Sequence, residues 1–471
     1  MLTQRRFASL QGTGSTLLVA FTLLRFSACG SDQGAPVRTT ATGGSGATAT
    51  GGRGAGGAAG QAGGPGGGAG GGRTGGAGGS AGSAGSSAGG AGGQATTAAV
   101  RFEKNVRVND DSGSGMHTEV VLATGPNGLM LAGWMDFRNE RTCAYSVSTD
   151  GGATWGKNIF IRVAGDQFVG DPSAAIDADG RLYAVCQDYG LSQVRVATSI
   201  DQGKTWSGPS SVQSSPDKPW IGASPSMGKV AFVSWLGGSA GIRGTKDGGL
   251  TWGPVHPLEF LNHGTTMAVG SNGVVHAAFS PNGGVIRYAR SKNLGDSWDA
   301  TRTIVSQTGN IHDCGARQNP VVGGSSDPTG QYAVVSWSAS MSGSASTQDI
   351  WIAYTADSGD TWTKPIKVND NTSAACNLQA WAAVDARGRV HVAWTDARNG
   401  KNDTYYARAA NPTQGFEKNV QVTDGSGAVP GFLGDYKGIA ISGSDVVVVW
   451  NDTRNGSSNI YSARALGAAA P

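Results

Sequence analysis

Charge is scarce in this chain: only 15% of its 471 residues are Asp, Glu, Lys or Arg. Aromatic residues make up 7% and cysteines number five. No phosphate-cradling glycine loop, Cys/His zinc spacing or EF-hand loop occurs, so no cofactor or metal is expected. Turns such as Asn109-Asp110-Asp111 and Asn369-Asp370-Asn371 read as solvated turns rather than calcium ligands. Three arginines in residues 1–28 and a net two positive charges in 29–99 leave a formal −2 for 100–471. A near-neutral, slightly acidic domain gives no electrostatic reason to expect nucleic acid. What the chain has in excess is glycine, 78 residues, and much of it lies in one stretch.

Residues from about Gly43 to Gly93 are nearly all Gly, Ala and Ser. Such a segment lacks the apolar area that would offset ordering entropy, so 29–99 reads as a disordered tether. Ahead of it, Arg5 and Arg6 precede an apolar run around Leu17 to Leu24, too short to span a bilayer but suited to an export signal over 1–28. Phe26-Ser27-Ala28-Cys29-Gly30 resembles the lipobox at which bacterial lipoproteins are cleaved and acylated. That resemblance implies lipidation at Cys29 and display at the outer membrane or cell surface, with ordinary secretion as the alternative. All 13 Trp and all 10 Tyr fall in the remaining segment, 100–471, which is long enough for one large core.

That segment repeats. The template [ST]-x-[DN]-x-G-x-[ST]-W occurs at Ser148–Trp155, Ser199–Trp206, Thr245–Trp252, Ser291–Trp298 and Thr355–Trp362. Its Asp can accept backbone N–H bonds across a tight turn, its Gly supplies a backbone angle other residues resist, and its Trp can fold between sheets. Before each copy, and twice without one, lies a β-branched run ending in an aromatic or small residue, seven runs in all: Leu129–Trp134, Arg181–Cys186, Lys229–Trp235, Val274–Phe279, Tyr332–Trp337, Arg389–Trp394 and Asp445–Trp450. A mean step near 53 residues suits a four-stranded antiparallel blade with its turns. Phe102-Glu103-Lys104-Asn105-Val106-Arg107-Val108 nearly duplicates Phe416–Val422, so the first ribbon is expected to complete the last blade and cover its open edge. The fold expected is an all-β, seven-bladed β-propeller, with six blades the alternative count. In an exported domain, Cys143, Cys186, Cys314 and Cys376 suit two disulfides. Spacing alone leaves the pairing open. The repeats favour Cys143 with Cys186 and Cys314 with Cys376, each pair on adjacent repeats near one rim.

The template resembles the Asp-box repeat of sialidase-type β-propellers, over roughly 101–465. The resemblance implies a site on the face opposite these turns, where each blade's first strand begins and its second strand turns into the third. Three of the latter loops share W-x-D-x-R-N: Trp134–Asn139, Trp394–Asn399 and Trp450–Asn455. They fall on blades that a closed ring makes neighbours. Arg138, Arg398 and Arg454 are therefore candidates to hold a substrate carboxylate, as the arginine triad of sialidases does. The competing reading pairs each with the Asp two residues before it. Mapped by residue type and loop, the resemblance implies Tyr436 as nucleophile, Glu119 as the base that takes its proton and Asp171 as acid and base. Asp435 and Trp220 join as substrate-binding candidates, with Trp220 and Trp381 able to stack on sugar or to fill the core.

The F/Y-R-I-P sequence that marks the first arginine of sialidases is absent, and catalytic sialidase domains have six blades. The activity expected is an exo-acting sialidase-like glycoside hydrolase on terminal acidic sugars of extracellular glycans. The alternatives are a non-catalytic glycan- or protein-binding propeller, or a polysaccharide lyase using His117, His263 or Tyr436. The partner expected is a glycan, with the membrane reached only through Cys29 and the domain monomeric.

Overall fold

The structure is a computed structural model that describes residues 99–470, except 112–114, 139–140, 162–167, 189–191, 215–216, 238, 260–262, 282–283, 313, 315–316, 318, 320, 345–346, 373–374 and 430. The export signal, Cys29 and the tether lie outside the described residues.

Seven four-stranded antiparallel sheets follow one another as blades 1 to 7. Their inner strands are His117–Thr124, Phe168–Ile176, Asp217–Ala223, His263–Val269, Gly323–Ser326, Asn377–Val384 and Gly438–Ser442. Each packs on the next, and Gly438–Ser442 packs on His117–Thr124, which closes the ring. The second strands carry the β-branched runs and are buried almost throughout, because both faces of each blade are covered by neighbouring blades. Trp134, Trp235, Trp394 and Trp450, near the ends of four of these strands, are among the largest fully buried side chains.

The repeated turns lie between third and fourth strands and staple blade to blade. In the first copy Asp150 accepts from the Thr154 amide at 2.9 Å and its hydroxyl at 2.6 Å, while Ser148 Oγ accepts from the Gly152 amide at 2.9 Å. Asn293, which replaces Asp in the fourth copy, still accepts from the Ser297 amide at 2.9 Å. The tryptophans reach the preceding blade: Trp206 packs near Tyr145, Trp298 near Phe232 and Trp362 near Tyr288. Trp155 closes the series by donating to Ser462 Oγ of blade 7 at 2.8 Å.

Blade 7 takes its outer strand from the start of the domain. Val106 and Arg107 pair with Ser462 and Tyr461, and the Glu103 amide donates to the Arg464 carbonyl at 2.8 Å. The disulfides join Cys143 to Cys186 and Cys314 to Cys376, as the repeats favoured. The first ties blade 1 to blade 2, and the second ties the connections that lead into blades 5 and 6.

Candidate functional site

The three repeated arginines do not form a free carboxylate-binding sector. Arg398 Nε lies 3.0 Å from both oxygens of Asp396, and its Nη1 reaches Asp370 at 2.8 Å. Arg454 donates to Asp452 at 2.9 and 2.7 Å and to Asn105 at 2.7 Å, and pairs with Asp424. Arg138 holds Asp136 through Nε at 3.0 and 2.9 Å. In blades 6 and 7 the motif's indole donates to the same Asp, at 2.9 and 2.8 Å. The W-x-D-x-R unit is thus closed on itself: Asp is buried, so it must be paired, and Arg supplies donors in all three copies, joined by Trp in blades 6 and 7. Burial alone would raise the Asp136 carboxyl, but hydrogen bonds from His117 and Arg138 outweigh it and hold the group well below its ordinary range.

The other candidates do converge, because of a shared backbone irregularity at the start of the inner strands. The register to the second strand slips between Thr118 and Val121, Gly170 and Ser173, Asp217 and Trp220, and Leu378 and Trp381. At these bulges Glu119, Asp171, Lys218 and Gln379 adopt φ of 56°, 49°, 42° and 54°. Left-handed angles are costly for such residues, and bulges that carry them re-aim side chains at functional positions. In blade 7 the chain passes through Gly434 (φ 83°), where a Cβ would stand 2.6 Å from Glu119. That close approach sets Asp435 and Tyr436 beside Glu119.

The resulting cluster spans the ring at the axis. Tyr436 Oη donates to Asp171 Oδ1 at 2.7 Å. Lys218 Nζ donates to Asp435 Oδ2 at 2.6 Å and to Asp171 Oδ1 at 3.3 Å. Asn319 Nδ2 donates to Asp435 Oδ2 at 2.8 Å, and Arg317 approaches the same oxygen at 3.5 Å with its guanidinium over the Phe432 ring. Gln379 donates to the carbonyls of Leu433 and Gly434 at 3.1 and 3.0 Å, which fixes the connection that carries Asp435.

Beneath the polar groups, Trp220 of blade 3 meets Trp381 of blade 6 at 4.7 Å and Tyr436 of blade 7 at 5.6 Å between ring centroids. The three rings pack against one another, the core-filling alternative weighed for Trp220 and Trp381. Tyr436 and Trp381 are buried and Trp220 partly so.

The electrostatics separate the carboxyls. Glu119 is 3% exposed, its Oε2 is buried with no hydrogen-bond partner among the described residues, and burial followed by the charge of Asp171 raises its pKa well above the carboxylate range. Burial also disfavours the charge on Asp435, yet Lys218 outweighs it and the pKa is lowered. Burial works against the Lys218 ammonium too, but Asp171 and Asp435 win and its pKa is raised well above normal. The Tyr436 phenol is driven well above its usual value by burial first, then by Asp171 and Glu119. On this geometry Asp171, not Glu119, is the acceptor at the Tyr436 hydroxyl.

Sequence reasoning placed Glu119, Asp171, Asp435 and Tyr436 together and missed Asn319 and the central place of Lys218. A stretch of strand-initial polar residues at matched repeat positions was the available signal. A cleft of about 400 Å³ elsewhere, between the outer parts of blades 4 and 5, is lined by Trp351, Trp362 and Met341, with Lys364 as its one titratable group.

No family model and no curated protein matches this chain. Solved structures similar to it include a protein of unknown function from Dyadobacter fermentans (14% identity, TM-score 0.47, covering 78% of this chain and 98% of that one). A GH93 α-L-arabinofuranosidase of Fusarium graminearum is similar at 11% identity and TM-score 0.47, with the same two coverages. The NanB sialidase from Streptococcus pneumoniae is similar at 14% identity and TM-score 0.43, covering 78% of this chain and 70% of that one.

Proposed function

We propose that the domain is an exo-acting glycoside hydrolase, of the general sialidase-like kind, that works at the axial cluster on terminal sugars of extracellular glycans. The observation that carries this reading is the pairing of a buried Glu119, whose pKa is raised by burial and then by Asp171, with the hydrogen-bonded Asp171–Tyr436 couple. Glycoside hydrolysis needs one carboxyl kept neutral to protonate the leaving oxygen and a second group that stays basic on the other side of the bond. Glu119 fills the first role and the Asp171–Tyr436 couple the second. Export and a lipid anchor at Cys29 would place the domain among such glycans, as a monomer with no cofactor.

Glu119→Gln keeps the shape and removes the proton. It is expected to lower kcat by about 10²- to 10⁴-fold, the usual contribution of a general acid, on fluorogenic glycosides. Because Glu119 has a raised folded-state pKa, its ionisation opposes folding as pH rises above its unfolded value. The Gln variant should therefore be at least as stable as wild type at pH 8. An unchanged kcat removes Glu119 from the reaction. A second reading, a non-catalytic glycan-binding propeller, draws on the way Lys218 and Asn319 already occupy Asp435 Oδ2. A glycan array showing binding, with no release of fluorophore from any glycoside, would select it.

A further inference from the structure

We propose that the axial cluster acts on an uncharged sugar, and that Asp171 is the group that bonds its anomeric carbon, with Tyr436 a positioning residue. This rests on the hydrolase reading above and deepens it. Two carboxyl groups of the cluster, Asp171 and Asp435, lie against its cations among the described residues, Lys218 and Arg317, with Glu119 and Asp217 in electrostatic reach. Both cations are engaged: Lys218 lies between Asp171 and Asp435, and Arg317 faces Asp435. The arginines that could have met a substrate carboxylate are each closed onto an Asp of their own loop. A carboxylated sugar would thus bring a negative charge beside Asp171 and Asp435, whose cations among the described residues already face them, at a cost that low-dielectric surroundings increase.

The same inventory bears on the nucleophile. A tyrosine nucleophile is advantageous where an anionic one would be repelled by the substrate's own carboxylate. With an uncharged sugar that reason disappears. Tyr436 is 3% exposed and packed between Trp220 and Trp381, and its hydroxyl already donates to Asp171. In the first step an Asp171 oxygen bonds the anomeric carbon as the bond from that carbon to the leaving oxygen breaks, and the Glu119 proton passes to that oxygen. In the second, water gives its proton to the Glu119 carboxylate and its oxygen to the anomeric carbon, releasing Asp171. One water is consumed and both carboxyl groups return to their starting states.

The test uses the recombinant exported chain with 4-methylumbelliferyl glycosides of neutral pentoses and hexoses, the glucuronide and the sialoside. It is followed by 2-deoxy-2-fluoro analogues of the best neutral sugar and peptide mass mapping. The expected result is at least a 100-fold higher kcat/KM for a neutral glycoside than for either acidic one, with label on the peptide carrying Asp171. Tyr436→Phe should keep measurable turnover and the same labelled peptide. Preference for the sialoside or glucuronide overturns the substrate class while leaving the hydrolase reading intact. Label on Tyr436, or neutral turnover with inverted product, overturns the role of Asp171. No turnover of any glycoside by the wild type overturns the hydrolase reading itself, and this inference with it.

Discussion

Lys218 offers the sharpest test of the axial cluster as a charge-balanced unit. Its ammonium lies 2.6 Å from Asp435, whose side chain has no exposure, and 3.3 Å from Asp171, whose side chain is 7% exposed. Lys218→Met keeps the aliphatic stem and removes the charge, leaving buried carboxylates with only Asn319 and Arg317 on Asp435. Breaking a buried pair by removing one partner costs about 3–5 kcal/mol. With an unfolding entropy of about 2.1 cal/mol/K per residue over roughly 370 residues, that corresponds to a Tm lower by about 4–6 °C. The pH dependence follows from the signs. In wild type Asp435 has a lowered pKa, so its stabilising contribution is present above the unfolded value and lost as pH falls through the folded one. Without Lys218, burial dominates and raises that pKa, so the variant recovers stability on acidification. The gap between the two proteins should therefore be widest near pH 8 and narrow toward pH 4, by thermal melts monitored by tryptophan fluorescence with disulfides intact. Lys218→Met with Asp435→Asn should recover most of the loss. A Tm change under about 1 °C at pH 8, or a gap that does not narrow in acid, would refute the idea that this lysine balances the cluster.

Arg454→Met strands Asp452, whose side chain is 1% exposed, and should cost about 3–5 kcal/mol. KM for a glycoside should stay unchanged, since the arginine serves the closure of blade 7 and not the axial cluster; kinetics and urea melts together decide. Removing either disulfide as a Cys-to-Ser pair, across sequence separations of 43 and 62 residues, should cost about 4 kcal/mol in the chain-entropy account. Only loss of Cys314–Cys376 should also lower kcat/KM, because that bond anchors the segment bearing Arg317 and Asn319. Lys437 is 1% exposed, donates to Thr404 Oγ1 at 2.9 Å, and burial pushes its pKa down to about 7. Its protonated form is disfavoured in the fold, so Lys437→Met should stabilise most below pH 7, with the gain shrinking between pH 7 and the ordinary lysine value.

The order of blades, the latch of Phe102–Val108 and both disulfides were legible in the sequence, because each is a repeat property. A residue at a given repeat position inherits its strand, face and neighbours from the other copies. The same logic misled at Arg138, Arg398 and Arg454. Their motif repeats because it solves a local problem, a buried Asp that requires donors, and a locally closed arginine has nothing left for a substrate. Trp220 was ambiguous for a different reason: whether an aromatic side chain at the axis meets ligand or other rings depends on what the opposite blades contribute.

By itself, then, the sequence determined the periodic part of this protein, since turn chemistry and β-branched runs act over a few residues and are copied five and seven times. Only the tertiary structure decided which carboxyl has its pKa raised, which has it lowered and which carboxyl meets the Tyr436 hydroxyl. Those properties arise between Glu119, Asp171, Lys218, Asn319, Asp435 and Tyr436 across the ring, where burial and Coulomb forces depend on distances of a few ångströms that no local pattern encodes.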